Sequence, residues 1–548
     1  MKKNQLRRLF TGTLAIIMCF FILPVSAFAA GGIYINNSNN YYGEDLTDAY
    51  AVGSDDSAQP LPEGDVYAIT ADGLEIIGKD NEPELPIPGD VVVKPAPLGG
   101  AISLKTNIIR VGLYYNYSTT RNTSLPSINI SPVNTDGYKF GYFDVNRNFV
   151  ELGSTATKKL TVMKDKAMTI SSVTIGAYHI KLPGAYDSFA KAKEAASKYN
   201  NGFPAYYNGA FYAMVGNYQS SAEATTLMKN SGISGEVYSG SSKSICITET
   251  GTKQIVFEYD GGATSSLAIR PYANSGKVNT QLGARKYFGD FQFLRLKGDD
   301  MTVVNFIDIE DYTKGVLPHE MSTSWPLEAL KAQALAARTY ALNNLNTYNN
   351  YGFDVTNDTY SQVYRGNGDA AASTDKAVDE TAGQYITYNG KLISALYFSS
   401  DGGATEDNVN VNGNTSHPYL KGVFDPFEQA ANSINSRHSW TKTYTPKQLG
   451  DRVGLGEIAT ATQTFSATGN CIRIDFVDKA GKKAFFQRTE CRTKMGLNSI
   501  RYTLEKDSSG NFVANGSGWG HNVGMSQFGA YAMAKYYNYT YNYILGFY

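Results

Sequence analysis

At 548 residues the chain exceeds what one hydrophobic core ordinarily fills, so two or more globular units are expected. A formal net charge of -1 with only 18% charged residues leaves no overall pull toward nucleic acid or an anionic bilayer, and nucleic-acid partners are set aside on that ground. The 40 Tyr residues, with frequent Gly and Asn, suit a surface that meets neutral sugars, and equally suit an ordinary exported β-protein.

At the start of the chain Lys2, Lys3, Arg7 and Arg8 precede an apolar run over residues 9–25 that ends in Ala27-Phe28-Ala29. This is the pattern of a secretory signal peptide (residues 1–29) cut after Ala29, and it implies an exported, extracellular or wall-associated protein. A retained anchor is the alternative, disfavoured by Thr11, Gly12, Thr13 and Pro24 and by the small-x-small end. Of the four Cys, Cys19 leaves with the leader, and the odd remainder (Cys246, Cys471, Cys491) argues against a disulfide scaffold. Cys471 and Cys491 flank an apparent hairpin over residues 472–488, and their pairing stays open. No CxxC or HExxH spacing specifies a metal, and no cofactor is called for.

Residues 30–98 are rich in Gly, Asp, Asn and Pro and read as a spacer in which short strands can be embedded. Residues 99–175 are β-rich, beginning with Ile108-Ile109-Arg110-Val111-Gly112-Leu113-Tyr114-Tyr115. A repeat follows. Tyr178-His179-Ile180-Lys181-Leu182 and the helical stretch after it are echoed by Tyr212-Ala213-Met214-Val215-Gly216-Asn217-Tyr218 and a second helical stretch, which gives a βαββαβ unit over residues 176–240. Its order and Gly-x-Tyr-x-Ser turns resemble a SPOR domain, a module whose family binds peptidoglycan glycan strands stripped of stem peptides. That resemblance implies glycan-stacking faces at Tyr178, Tyr212 and Tyr218; a plain α+β spacer is the competing reading.

Strand-like runs separated by Gly and Asp fill residues 245–309 and frame the stretch that organises the rest. Pro318-His319-Glu320-Met321-Ser322-Thr323-Ser324-Trp325-Pro326 sets a carboxylate on a tight turn. Behind it, Leu327, Leu330, Ala334, Ala337, Ala341 and Leu345 recur at helical spacing, an amphipathic helix over residues 327–345 with Ser324 as its cap. A Glu among Pro, His, Met and Trp is expected to be partly desolvated, and burial raises a carboxyl pKa toward that of a proton donor. A solvated charge or a helix cap is the other role open to it.

The stretch from Asp311 through Glu320 to Ala341 closely resembles the stage II sporulation protein D family. Three further blocks agree in that family's order: Ala395-Leu396-Tyr397-Phe398-Ser399-Ser400-Asp401-Gly402-Gly403-Ala404-Thr405-Glu406, Pro418-Tyr419-Leu420-Lys421-Gly422-Val423, and the run from Gly518-Trp519-Gly520-His521 to Ser526-Gln527-Phe528. The family's sporulation members are lytic transglycosylases acting on peptidoglycan, and Glu320 matches their catalytic acid. Its other branch enhances a cell-wall amidase without cleaving glycan. The resemblance implies a sugar groove lined by Ser399, Ser400, Gly402, Gly403, Thr405, Glu406, His521, Ser526 and Gln527, with Arg338 and Tyr340 bracing the Glu320 turn. Glu406 is either a second catalytic carboxylate or an ion-pair partner. Some members hold a structural zinc through a His and paired Cys, whereas Thr359-Tyr360-Ser361-Gln362 here offers neither, so zinc dependence is not carried over. The expected whole is a multidomain α+β protein: a β-rich N-terminal part, the βαββαβ unit and a mixed α+β catalytic region over residues 245–548.

Overall fold

The structure is a computed structural model that describes residues 106–118, 121–296, 300–413 and 416–548, with the backbone of three earlier strands. Asp65–Thr70 pairs with Gly73–Lys79, and Val91–Pro95 pairs with Gln384–Tyr388. Strands are thus embedded in residues 30–98 as expected; the expected signal peptide (residues 1–29) and the rest of that stretch lie outside the described residues.

Two large sheets enclose the main core. One has seven strands, in the order Val355–Thr356, Ile108–Tyr114, Thr302–Asp308, Asp290–Leu294, Ala268–Tyr272, Gly137–Phe143 and Phe149–Thr155. The other has ten and includes Ser127–Pro132, Leu160–Lys164, Ile245–Glu249 and Ile255–Asp260. Ile109, Val111, Ile130, Phe140, Val162, Phe257, Phe291 and Phe293 share one buried cluster, the product of β-branched and aromatic residues on pleated strands.

One end of the ten-stranded sheet is the βαββαβ unit: Tyr178–Lys181, α1 (Phe189–Ala196), Gly202–Tyr207, Ala210–Tyr218, α2 (Ser221–Asn230) and Glu236–Ser239. In chain order its strands lie fourth, first, third, second, and all pair antiparallel. Ser188 and Ser220 cap the two helices through their hydroxyls. The unit does not close on itself, because Gly202–Tyr207 pairs in parallel with Ile255–Asp260 and carries the sheet onward.

The helical core follows the seven-stranded sheet: α3 (Ile309–Glu320), α4 (Leu327–Asn343), α5 (Ala372–Glu380), α6 (Gln527–Tyr536) and α7 (Tyr541–Phe547). Three local expectations need correction. Glu320 is the last residue of α3 rather than a turn residue. The helix continues through Pro318, and the Met321 N–H still reaches the Leu317 carbonyl. α4 is not amphipathic: Ala329, Leu330 and every residue from Ala332 to Leu342 are buried, since it packs against α3, α5, α6 and α7. Its alanines let those neighbours approach on every side. Pro326, not Ser324, holds the cap position, with no side-chain cap bond.

The chain ends around two three-stranded sheets, Trp440–Tyr444 with Phe512–Gly516 and Tyr502–Lys506, and Ile458–Phe465 with Cys471–Asp478 and Lys483–Gln487. Cys471, the first residue of the central strand of the latter, and Cys491, in the helical turn after its last strand, are free, buried thiols. Among the described residues no helix is long and apolar enough to cross a membrane.

Candidate active site

Thr302–Asp308 delivers the chain into α3, whose N-terminus is capped by the Asp308 carboxylate accepting from the Glu310 N–H. Tyr312, Val316 and Glu320 follow at intervals of four and so share a helix face. That face points inward: Tyr312 and Val316 are fully buried and Glu320 is 2% exposed.

One carboxyl oxygen of Glu320, Oε1, accepts from the Val363 N–H at 3.1 Å. The other, Oε2, is buried without a hydrogen-bond partner. Burial pushes the Glu320 pKa up to about 7, against smaller downward pulls from the Val363 amide, the Tyr397 hydroxyl and Gln527. Gln527 also ties the end of α3 down, its Nε2 donating to the Glu320 carbonyl at 2.9 Å. Tyr312 donates to Gln362 Oε1 at 3.0 Å, and Gln362 Nε2 donates to the Tyr397 hydroxyl at 2.9 Å. The carboxyl therefore sits among neutral hydroxyls and amides, and among the described residues no cation holds it ionised.

Several residues implicated by the sequence act at one remove. His521 accepts from the Val523 N–H at Nδ1, so Nε2 carries the proton and donates to the Tyr397 carbonyl at 3.0 Å. Burial and the nearby Arg492 depress its pKa to about 3, which keeps the ring neutral. Its role is to hold Tyr397. Tyr340 is buried in α4, near enough for its hydroxyl to feel the Glu320 charge. Arg338 braces α3 at the far end from Glu320: its Nε and Nη2 hold Glu310 at 3.0 and 2.6 Å, and further bonds reach the Gln384 and Val378 carbonyls.

A second group gathers around Glu428, which sequence reasoning missed. It accepts from Ser400 Oγ (2.5 Å), Ser526 Oγ (2.5 Å), the Asp401 N–H (2.8 Å) and the Gly402 N–H (3.1 Å). Ser526 also caps α6 through Gly529. The glycine-rich runs close on each other rather than on open space. Gly402 has φ +69°, and a Cβ there would come within 2.5 Å of Ser517 Oγ, while Ser400 and Trp519 exchange backbone bonds. Gly403 donates to Asp401, and Thr405 Oγ1 accepts from Val423. The Ser399 hydroxyl is buried and unpartnered.

Glu406 lies in a third environment, accepting from the Asp407 N–H, Asn410, Ser466 and Thr468. The two carboxylates share no hydrogen-bond partner among the described residues, and Glu406 lies near enough to Arg501 for that guanidinium to feel its charge. The three sugar-facing candidates of the βαββαβ unit are also split. Tyr178 and Tyr218 pair across strands on the face covered by α1 and α2, whereas Tyr212 lies on the opposite face under the Lys181 ammonium.

Tyr312, Gln362, Val363 and Tyr397 join Glu320 without having been singled out. Helical spacing would have found Tyr312 had α3 been read through Pro318; Gln362 and Val363 come from a loop and Tyr397 from the short strand Tyr397–Phe398, which only the fold brings in.

Compared with known proteins, residues 297–388 match the model of the stage II sporulation protein family, a span that contains Glu320, α4 and α5. An uncharacterised protein of Brachyspira hyodysenteriae is 38% identical over 263 residues, 46% of this chain and 68% of that one. Stage II sporulation protein D of Bacillus subtilis is 31% identical over 251 residues, 42% of this chain and 70% of that protein. The amidase enhancer of the same organism is 30% identical over 336 residues, 52% of this chain but only 46% of its own length.

Proposed function

We propose, for a chain that belongs to the stage II sporulation protein D family, that it is a peptidoglycan lytic transglycosylase with Glu320 as its general acid and base. The observation that carries the reading is a lone buried carboxyl with one oxygen fixed by Val363 and the other unclaimed, at a pKa of about 7. Such a group is available in both protonation states near neutral pH.

Glycoside hydrolysis ordinarily takes two carboxylates, one of them to activate water or attack the sugar. Here the protonated Glu320 gives its proton to the glycosidic oxygen as the bond to the anomeric carbon breaks. The 6-hydroxyl of the same N-acetylmuramic acid then closes on that carbon, and its proton returns to Glu320. The product is a 1,6-anhydromuramyl end, and the enzyme is restored without water. That Glu406 is engaged by Ser466 and Thr468 and shares no hydrogen-bond partner with Glu320 fits a one-carboxylate route. Because Glu320 is shut from solvent, the groups over it, Tyr397 and the Val363 segment, have to withdraw for a glycan to reach Oε2.

That same closure favours the second reading, a non-catalytic wall-binding protein that assists a cell-wall amidase, in which Glu320 simply ties α3 to Val363. A relative bearing the name amidase enhancer lends it weight. The proposed setting is outside the membrane, in a sporulation-related cell-wall role, with peptide-free glycan strands as substrate. Incubating the mature protein and its Glu320→Gln variant with such strands separates the readings: anhydromuramyl ends from the parent alone support the enzyme, and bound but intact glycan from both overturns it.

A further inference from the structure

Three side chains far apart in sequence meet on the face of the ten-stranded sheet opposite α1 and α2. Asp165 follows Leu160–Lys164, His179 lies on Tyr178–Lys181, and Glu258 lies on Ile255–Asp260. Strand register explains the meeting: His179 stands opposite Tyr238 and Glu258 opposite Cys246, so all four side chains share one face. That face is packed with Met163, Phe203, Met214 and Ile255, and the hairpin of Met168–Ile170 with Val173–Ile175 lies against it. His179 is 0% exposed, Glu258 1% and Asp165 5%.

The His179 ring shows which of its nitrogens carries the proton. Nδ1 lies 2.7 Å from the Gly216 carbonyl, which can only accept, so the proton is on Nδ1. Nε2 then faces Glu258 Oε2 at 3.1 Å and Asp165 Oδ1 at 3.9 Å, and neither contact has hydrogen-bond geometry. Both Glu258 oxygens, Asp165 Oδ2 and His179 Nε2 are buried without partners. The neighbouring Asp260, by contrast, is fully served by Ser241, Ser244 and Gly262. An unserved buried carboxylate costs several kcal/mol, and two beside one imidazole are hard to retain without a ligand.

We infer that Asp165, His179 and Glu258 form a structural site for one divalent first-row transition-metal ion. Each side chain offers an atom, and these atoms all lie within 4.8 Å of one another. Ligands ~2.1 Å from a common ion are separated by roughly 3 to 4 Å, so the 3.1 and 3.9 Å spacings already approximate a coordination sphere. A neutral imidazole and two carboxylates balance a double positive charge, whereas an imidazolium in their place leaves one negative charge buried. An Nδ1–H bonded to a backbone carbonyl is the usual support of a metal-bound His and fixes Nε2 as the ligand. One imidazole with two carboxylates suits zinc, manganese or ferrous iron over softer ions. The ion would pin the βαββαβ unit to its flanking strands, remote in sequence from Glu320.

The test uses the full mature chain, stripped with a chelator and dialysed against zinc or manganese. One ion retained per chain, with a rise in Tm that grows with metal concentration, is expected. Glu258→Gln keeps the shape and should weaken binding by more than about tenfold, the range that follows even loss of a supporting outer partner. Zinc-edge X-ray absorption of the parent decides the case without a variant, should the variant not fold. One imidazole with oxygen ligands supports the site; oxygen ligands alone, no retained metal, or unchanged affinity in a folded Glu258→Gln protein overturns it.

Discussion

Replacing Glu320 by Gln should change the pH dependence of stability more than stability itself. In the unfolded chain this carboxyl ionises near 4.5; in the folded protein burial holds it protonated until about pH 7. The folded state therefore binds the extra proton between those values, and stability falls as pH rises through that window, levelling off once both states are ionised. The gap amounts to about 3 kcal/mol at 1.36 kcal/mol per pH unit, with little solvent screening because the side chain is closed off. Gln keeps an oxygen for the Val363 N–H and has no charge to desolvate. Relative to the parent, the variant should gain about 3 kcal/mol between pH 4.5 and pH 8. Urea unfolding followed by tryptophan fluorescence suits the measurement, since Trp325, Trp440 and Trp519 all lie in the C-terminal half. Parallel stability profiles for the two proteins would refute the argument and return Glu320 to an ordinary carboxylate.

Glycan cleavage, if Glu320 supplies the first proton, should decline about tenfold per unit above roughly pH 7, read from initial rates of strand shortening; a flat alkaline limb speaks against it. Arg338→Ala removes a guanidinium that is 1% exposed and leaves Glu310 short of its partner. It should cost about 3 kcal/mol, the low end for a broken buried pair because Glu310 keeps some solvent contact, and Lys should restore only part of it in urea titrations. Gly402→Ala forces a side chain into φ +69° and against Ser517; a loss of about 2 kcal/mol is expected, checked by the same unfolding curve. The Cys471 thiol, drawn down to about 7 by a hydrogen bond with Cys491, is placed to form a disulfide under oxidising conditions. Thiol titration of the oxidised, denatured mature protein should then find Cys246 alone free, and three free thiols would contradict the pairing.

The sequence carried the site's chemistry further than its geometry. Pro, His, Met and Trp around Glu320 signalled desolvation, and the carboxyl is indeed raised by burial. The stretch around Glu320 read as a tight turn, yet α3 runs through Pro318 to Glu320, because a proline near a helix end removes only its own N–H from the ladder. The alanine-rich spacing of α4 marked a helix but not its burial on all sides, which depends on partners from the far end of the chain. Motifs rich in Gly and Ser looked like a sugar-facing lining, and in the fold their donors turn inward to Glu428, a residue outside every motif. Asp165, His179 and Glu258 had no spacing to betray them, since strand register alone assembles them.

Incubating peptide-free glycan strands in 18O-labelled water with the parent and Glu320→Gln proteins distinguishes the proposed one-carboxylate cleavage from hydrolysis and from no cleavage. Mass spectra from the parent should show anhydromuramyl ends without label, and the variant should release none. Labelled reducing ends, or anhydro ends formed equally by the variant, would contradict the account.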